Sequence, residues 1–99
     1  NLNDEIAEYD LLSTMTNGQI EIAKIISLSS SRQKSLLCHF IRQHNLPLPS
    51  SKRLQEFIRQ VTTAEQDRHP QLKLNENYVL TRRKGNIILV MQIVNKQLE

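Results

Sequence analysis

Ninety-nine residues, 38% of them hydrophobic and four aromatic, suit a single domain with a modest core. No apolar run approaches the roughly 18 residues that cross a bilayer, no charged start leads into an apolar stretch as a secretory signal requires, and the lone Cys38 excludes an internal disulfide and the paired-cysteine zinc motifs. The net charge of +3 hides an asymmetry: every charged residue of 1–23 is acidic (Asp4, Glu5, Glu8, Asp10, Glu21), whereas over 24–90 Lys and Arg outnumber Asp and Glu by three to one, a field suited to a polyanion.

A soluble, cytoplasmic protein without membrane contact is the expectation. The chain opens at Asn1 in residues that already read as helical, so it is further expected to have been cut from a longer protein. Asn3 or Asp4 is placed to cap this first helix, with Ile6, Tyr9 and Leu12 at helical spacing and acidic residues in the first turn, where the macrodipole favours them. Thr16-Asn17-Gly18 marks a turn. Ile20, Ile22, Ile25 and Ile26 after it fit a short extended segment or a helical turn equally well.

Ser29 caps the next helix, which carries Leu36, Leu37, Phe40 and Ile41 on one stripe and Arg32, Ser35, His39 and Arg42 on another. Asn45 suits the left-handed residue that closes a helix, and Pro47 and Pro49 force extended backbone before the next start. Ser50 caps a further helix with Leu54, Phe57, Ile58 and Val61 at i, i+3, i+4 and i+7 and with Lys52, Gln55, Arg59 and Thr63 on the opposite side. Pro70 ends whatever helix remains after Asp67. Beyond it Leu72 and Leu74 alternate with polar residues, and Tyr78 to Leu80 and Ile87 to Val90 are β-prone runs around Arg82 to Asn86, where Gly85 permits a hairpin. The fold class is therefore α+β: a small helical domain of two to three helices packed with a two- to three-stranded antiparallel sheet. From Gln92 the tail is expected to fray.

Few residues suggest chemistry. His39, His44, His69 and Cys38 form a paper ligand set, but His39 and His44 differ by five positions, about 140° around a helix, so they do not share a face. Cys38 and His39 diverge by about 100°, and the serines stand at helix starts where capping explains them. With only Gly18 and Gly85 in the chain, neither a Walker loop nor a dinucleotide fingerprint exists. The remaining signal is cationic. Arg82, Arg83 and Lys84 share a hairpin tip, and Arg32, Arg42, Lys52 and Arg59 lie on outer helix faces, where phosphates of a nucleic acid are the expected partners.

These residues carry a resemblance. Leu28-Ser29 with Arg32, the Leu46-Pro47-Leu48-Pro49-Ser50 linker, Pro70 followed by Leu72-Lys73-Leu74, and Arg82 with Gly85 to Val90 are together similar to the central substrate-recognition domain of bacterial tRNA(Ile)-lysidine synthetase. The chain departs from that pattern at Thr81-Arg82-Arg83, where an arginine pair followed by an aromatic is usual. The resemblance implies a division into 1–27, a linker or helix leading from a missing N-terminal domain, 28–90, the tRNA-recognition domain, and 91–99, a tail or linker. It implies an ATP-dependent ligase that joins lysine to C2 of the first anticodon cytidine of an isoleucine tRNA. It further implies that the full-length enzyme takes ATP with magnesium and L-lysine, with an S-G-G-x-D-S phosphate-binding loop in an N-terminal domain; no such loop occurs in this sequence. No catalytic, cofactor or metal residue is thus expected in this chain, and the expected tRNA contacts are Arg42, Arg59, Arg82, Arg83, Lys84, Arg32 and Lys52.

Two rivals follow from the same residues. Two helices before a basic hairpin is also the plan of a winged-helix DNA-binding module with 51–60 as recognition helix, although the Leu46 to Pro49 strut is stiffer than the usual connection. A non-catalytic protein-interaction domain, whose basic faces merely solubilise it, is the other.

Overall fold

The computed structural model describes residues 2–63 and 69–92. In chain order the elements are helix α1 (Leu2–Thr14), strands β1 (Met15–Thr16) and β2 (Gln19–Glu21), the single turn α2 (Ile22–Ile25), helices α3 (Ser30–Gln43) and α4 (Ser51–Thr63), and strands β3 (Gln71–Lys73), β4 (Tyr78–Arg83) and β5 (Asn86–Met91). The class is α+β, as the sequence implies. The sheet is larger than expected, with five antiparallel strands in the order β1-β2-β5-β4-β3.

Local signals explain α3 and α4. Ser29 Oγ accepts the Arg32 amide at 3.2 Å and Ser50 Oγ accepts the Arg53 amide at 3.2 Å, each serving a donor that the first helical turn leaves without a partner. Helix α3 closes on left-handed Asn45 (φ 58°), whose amide bonds Arg42 O while the Leu46 amide reaches Ile41 O, the paired pattern of a Schellman cap. The inward stripes, Leu36, Leu37, Phe40 and Ile41 from α3 and Leu54, Phe57, Ile58 and Val61 from α4, are buried in one cluster with Ile20, Leu72, Leu80 and Ile87 from the inner face of the sheet.

Both tight turns of the sheet take the same form. Asn17-Gly18 (φ 56° and 79°) joins β1 to β2, and Lys84-Gly85 (φ 53° and 79°) joins β4 to β5. Two successive left-handed residues match the natural twist of the flanking strands, and glycine at the second position avoids the Cβ clash. The isoleucines that sequence left between strand and helix turn are both: Ile20 pairs with Ile87 in β2–β5, and Ile22 starts α2.

Helix α1 departs from expectation. It includes Asn3 and Asp4, so neither caps it. Ile6, Tyr9 and Leu12 lie on the outside, 37%, 69% and 68% exposed, and the buried stripe is Ala7, Asp10, Leu11 and Thr14. That stripe has ideal i, i+3, i+4, i+7 spacing, and its polar members are satisfied internally: Arg32 holds the Asp10 carboxylate, and the Thr14 hydroxyl donates to Asp10 O at 2.9 Å. The expected helix end before Pro70 and the tail after Gln92 lie outside the described residues.

Because Ile20 is fully enclosed against the β5 strand, Ile20→Ala should destabilise the whole protein by about 3 kcal/mol. The measurement is urea unfolding followed by circular dichroism, and a single shifted transition is expected; a separate early transition would mean that 1–27 folds apart from the rest.

Candidate nucleic-acid interface

The structure sorts the cations by what already holds them. Arg32 reaches back to α1 and grips Asp10 through Nε at 2.9 Å and Nη2 at 2.6 Å; the Asp10 side chain is 2% exposed and that of Arg32 47%. Arg59 pairs with Glu56 one turn earlier on α4, a contact that with the Gln60 amide holds the Glu56 carboxyl below its usual range. Lys34 donates to Ser51 Oγ at 2.9 Å, bracing α3 against the start of α4, and Arg53 Nη2 donates to Lys73 O at 2.8 Å, tying α4 to β3. Lys24 pairs with Glu21 at 3.2 Å.

Strand periodicity separates the two arginines of the hairpin. Arg82 pairs in register with fully buried Ile87 and points to the inner face of the sheet, where it is half-buried and engaged within the molecule; Arg83, its neighbour, points to the outer face. Among the described residues the cations with no internal ion pair or side-chain hydrogen bond are Arg42, Lys52, Lys73, Arg83 and Lys84.

Two concavities adjoin them. A cleft of about 240 Å³ lies between the two tight turns, lined by Gln19, Arg83, Lys84, Asn86 and Ile88. A groove of about 420 Å³ runs between the start of α4 and β3, with Lys52, Arg53, Glu56 and Gln60 over Phe57 and Leu72. The structure thus brings Arg83 and Lys84 together with Gln19 and Asn86, and sets Lys52 beside Arg53, while Arg32 and Arg59 are tied to carboxylates. Sequence reasoning missed Gln19, Asn86 and Arg53. Asn17-Gly18 read as a hairpin rather than a bare turn would have flagged Gln19, whereas nothing local links it to Asn86.

Among the described residues no three His, Cys, Asp or Glu side chains converge to hold a metal ion. His44 packs edge-on against Phe40 with ring centroids 4.8 Å apart, and His69 Nδ1 lies 3.4 Å from Arg82 O. The residues present do not fit ATP: both glycines sit in turns between antiparallel strands, not in a strand-to-helix phosphate loop. No described helix is long and apolar enough to cross a membrane.

The described residues thus form a five-stranded antiparallel sheet over a capped helix pair, with Arg42, Lys52, Lys73, Arg83 and Lys84 left without an internal ion pair or side-chain hydrogen bond. The TilS substrate binding domain family matches residues 21–88, and the chain belongs to that family. Similar curated proteins are the tRNA(Ile)-lysidine synthases of Nitrosomonas europaea (31% identical, covering 69% of this chain and 15% of that protein), Coxiella burnetii (32%, covering 70% and 15%) and Haemophilus ducreyi (25%, covering 97% and 22%). This chain therefore spans less than a quarter of the length of these relatives.

Removing only Arg32 leaves a buried carboxylate without its cation, which is worse than replacing both partners with apolar side chains. Arg32→Met should accordingly lower the urea midpoint further than the double variant Asp10→Leu/Arg32→Met; the reverse order would assign the pair no structural role. Burial pushes the Cys38 thiol above its ordinary value, against a weaker opposite pull from Arg42 and Lys34. A raised value means less thiolate at neutral pH, so iodoacetamide should alkylate Cys38 more slowly in the folded protein than in urea, and equal rates would contradict the burial.

Proposed function

We propose that this chain is the tRNA-holding part of a tRNA(Ile)-lysidine synthase, a cytoplasmic ATP-dependent ligase that joins lysine to the first anticodon cytidine of an isoleucine tRNA. The observation that carries the reading is the family match over 21–88 on a chain in which Arg42, Lys52, Arg83 and Lys84 have no internal ion pair or side-chain hydrogen bond among the described residues. On this reading ATP, magnesium and lysine bind elsewhere in a longer protein, and bond-making is not the work of this domain. Residues 1–27 lead in from the catalytic part while lending Leu11, Ile20, Ile22 and Ile25 to the core, 28–90 recognise the tRNA, and 91–99 lead out.

The nominated cations do not weigh equally. Arg83, Lys84, Arg42 and Lys52 meet phosphates without breaking an existing contact. Arg59 and Arg32 must leave Glu56 and Asp10 to do so, and Arg82 supports the hairpin from its inner face. An A-form stem offers phosphates and 2′-hydroxyls across a shallow minor groove, a surface that cations fixed on a rigid scaffold fit. Tyr9, the most exposed aromatic, stands alone on α1, so stacking on unpaired bases has no platform here.

Fluorescence anisotropy with tRNA and with a DNA duplex of similar length at one moderate salt concentration tests this. Tighter binding of tRNA is expected, with log affinity falling against log salt at a slope of about −3 for four phosphate contacts. Preference for the DNA duplex would favour the winged-helix plan instead.

A further inference from the structure

The cleft between the two tight turns combines features that core packing does not require. Strand β2 pairs with β5 so that Glu21 lies opposite Asn86, which puts Gln19 and Asn86 on the outer face of the sheet. Asn86 Nδ2 donates to Gln19 Oε1 at 2.9 Å. That bond uses one donor and one acceptor of the two amides. The Gln19 NH2 and the Asn86 carbonyl have no other partner among the described residues, so the pair presents donors and an acceptor next to Arg83 and Lys84.

We propose that this cleft is a subsite for one step of RNA sugar-phosphate backbone, with Arg83 and Lys84 on the phosphate and the Gln19–Asn86 amide pair on the adjoining 2′-hydroxyl, a proposal that rests on the reading that the domain holds tRNA. A 2′-hydroxyl is donor and acceptor at once, and it is the group by which protein distinguishes RNA from DNA at a given position. The amide pair offers the matching acceptor and donors; the two cations alone would hold any phosphate.

Rigidity supports the assignment. Both turns have two left-handed residues, a narrow and defined shape. The Ile22 amide donates to Gly85 O at 3.0 Å, fastening the Lys84-Gly85 turn to the residue that directly follows the strand carrying Gln19. The cleft is thus formed before ligand arrives, and binding does not have to order it. The acid on this face, Glu21, is held by Lys24 at 3.2 Å and by the Thr16 hydroxyl, which limits its repulsion of a phosphate.

The test compares the unaltered protein with three variants on tRNA and on a stem of the same sequence carrying 2′-deoxyribose. Arg83→Gln/Lys84→Asn removes the cations while keeping a residue that tolerates the left-handed turn; it should weaken tRNA binding by about tenfold or more and reduce the salt slope by about two. Gln19→Ala should weaken tRNA binding about three- to tenfold, the value of one hydrogen bond, without changing the slope, and should leave binding of the deoxy stem unaltered. Equal losses on tRNA and on the deoxy stem overturn the 2′-hydroxyl contact. Unchanged binding in Arg83→Gln/Lys84→Asn, with loss in Arg42→Gln/Lys52→Gln, overturns the cleft but leaves the tRNA-holding role standing. Failure of the unaltered protein to bind tRNA at all overturns both. Circular dichroism of each variant confirms that the comparison is between folded proteins.

Discussion

The antiparallel pairing of β2 with β5 is the contact on which the other parts of this molecule depend. It joins segments 67 residues apart, and its central pair, Ile20 and Ile87, is fully removed from solvent. Closing so long a loop costs conformational entropy, which burial of two isoleucine side chains, about 1.5 to 3 kcal/mol each, helps to offset. The consequences reach both ends of the chain. Helix α1 and its β1–β2 hairpin become part of the same core as α3 and α4, and Glu21 is placed opposite Asn86, next to the most basic turn. Without that pairing Gln19 and Asn86 would have no reason to meet.

What the sequence revealed about the fold follows from the range of each interaction. The caps at Ser29 and Ser50, the closure at Asn45 and the turn at Lys84-Gly85 are decided within a few residues, so residue order is enough to find them. The four-residue stripes of α3 and α4 are equally visible because their buried positions are all apolar. Helix α1 escapes the same reading because its buried stripe includes Asp10 and Thr14. Hydropathy assigns those positions to solvent, and only a guanidinium arriving from 22 residues away makes Asp10 a packing residue. Strand β2 and helix α2 escape for another reason. Three extended residues followed by one helical turn give neither a period of 2 nor one of 3.6, and Ile20, Ile22 and Ile25 take their burial from partners distant in sequence.

The candidate site was legible as charge but not as geometry. Composition treats Arg32, Arg59 and Arg83 as equivalents, yet the first secures α1 to α3, the second closes a contact on α4 and the third faces outward with nothing holding it. Which cation is paired depends on tertiary placement, so a sequence can nominate the set but cannot rank it. The split between Arg82 and Arg83 was accessible in principle: adjacent residues of a strand face opposite sides of a sheet, and fixing the inner face at Leu80 and Ile87 fixes both arginines.

The division of the cations into bridged and unbridged ones bears on how the proposed function would select its partner. Attraction between lysine or arginine and phosphate has no sequence information and acts on DNA and RNA alike. On the proposed function, selection of a folded RNA by this surface would therefore arise from spacing that is fixed before the ligand binds and from groups that read ribose. Spacing is fixed here by backbone features: two turns with left-handed residues, two serine caps, and the bridges from Arg53 to Lys73 O and from Lys34 to Ser51 that hold α4 to β3 and α3. Cations consumed in those bridges are unavailable to phosphate, yet they determine where the unpaired ones stand. Under the proposed function, a surface with more free charge and fewer internal bridges would bind nucleic acid more strongly and discriminate less, so the bridged cations would serve selection by fixing where the unpaired ones stand.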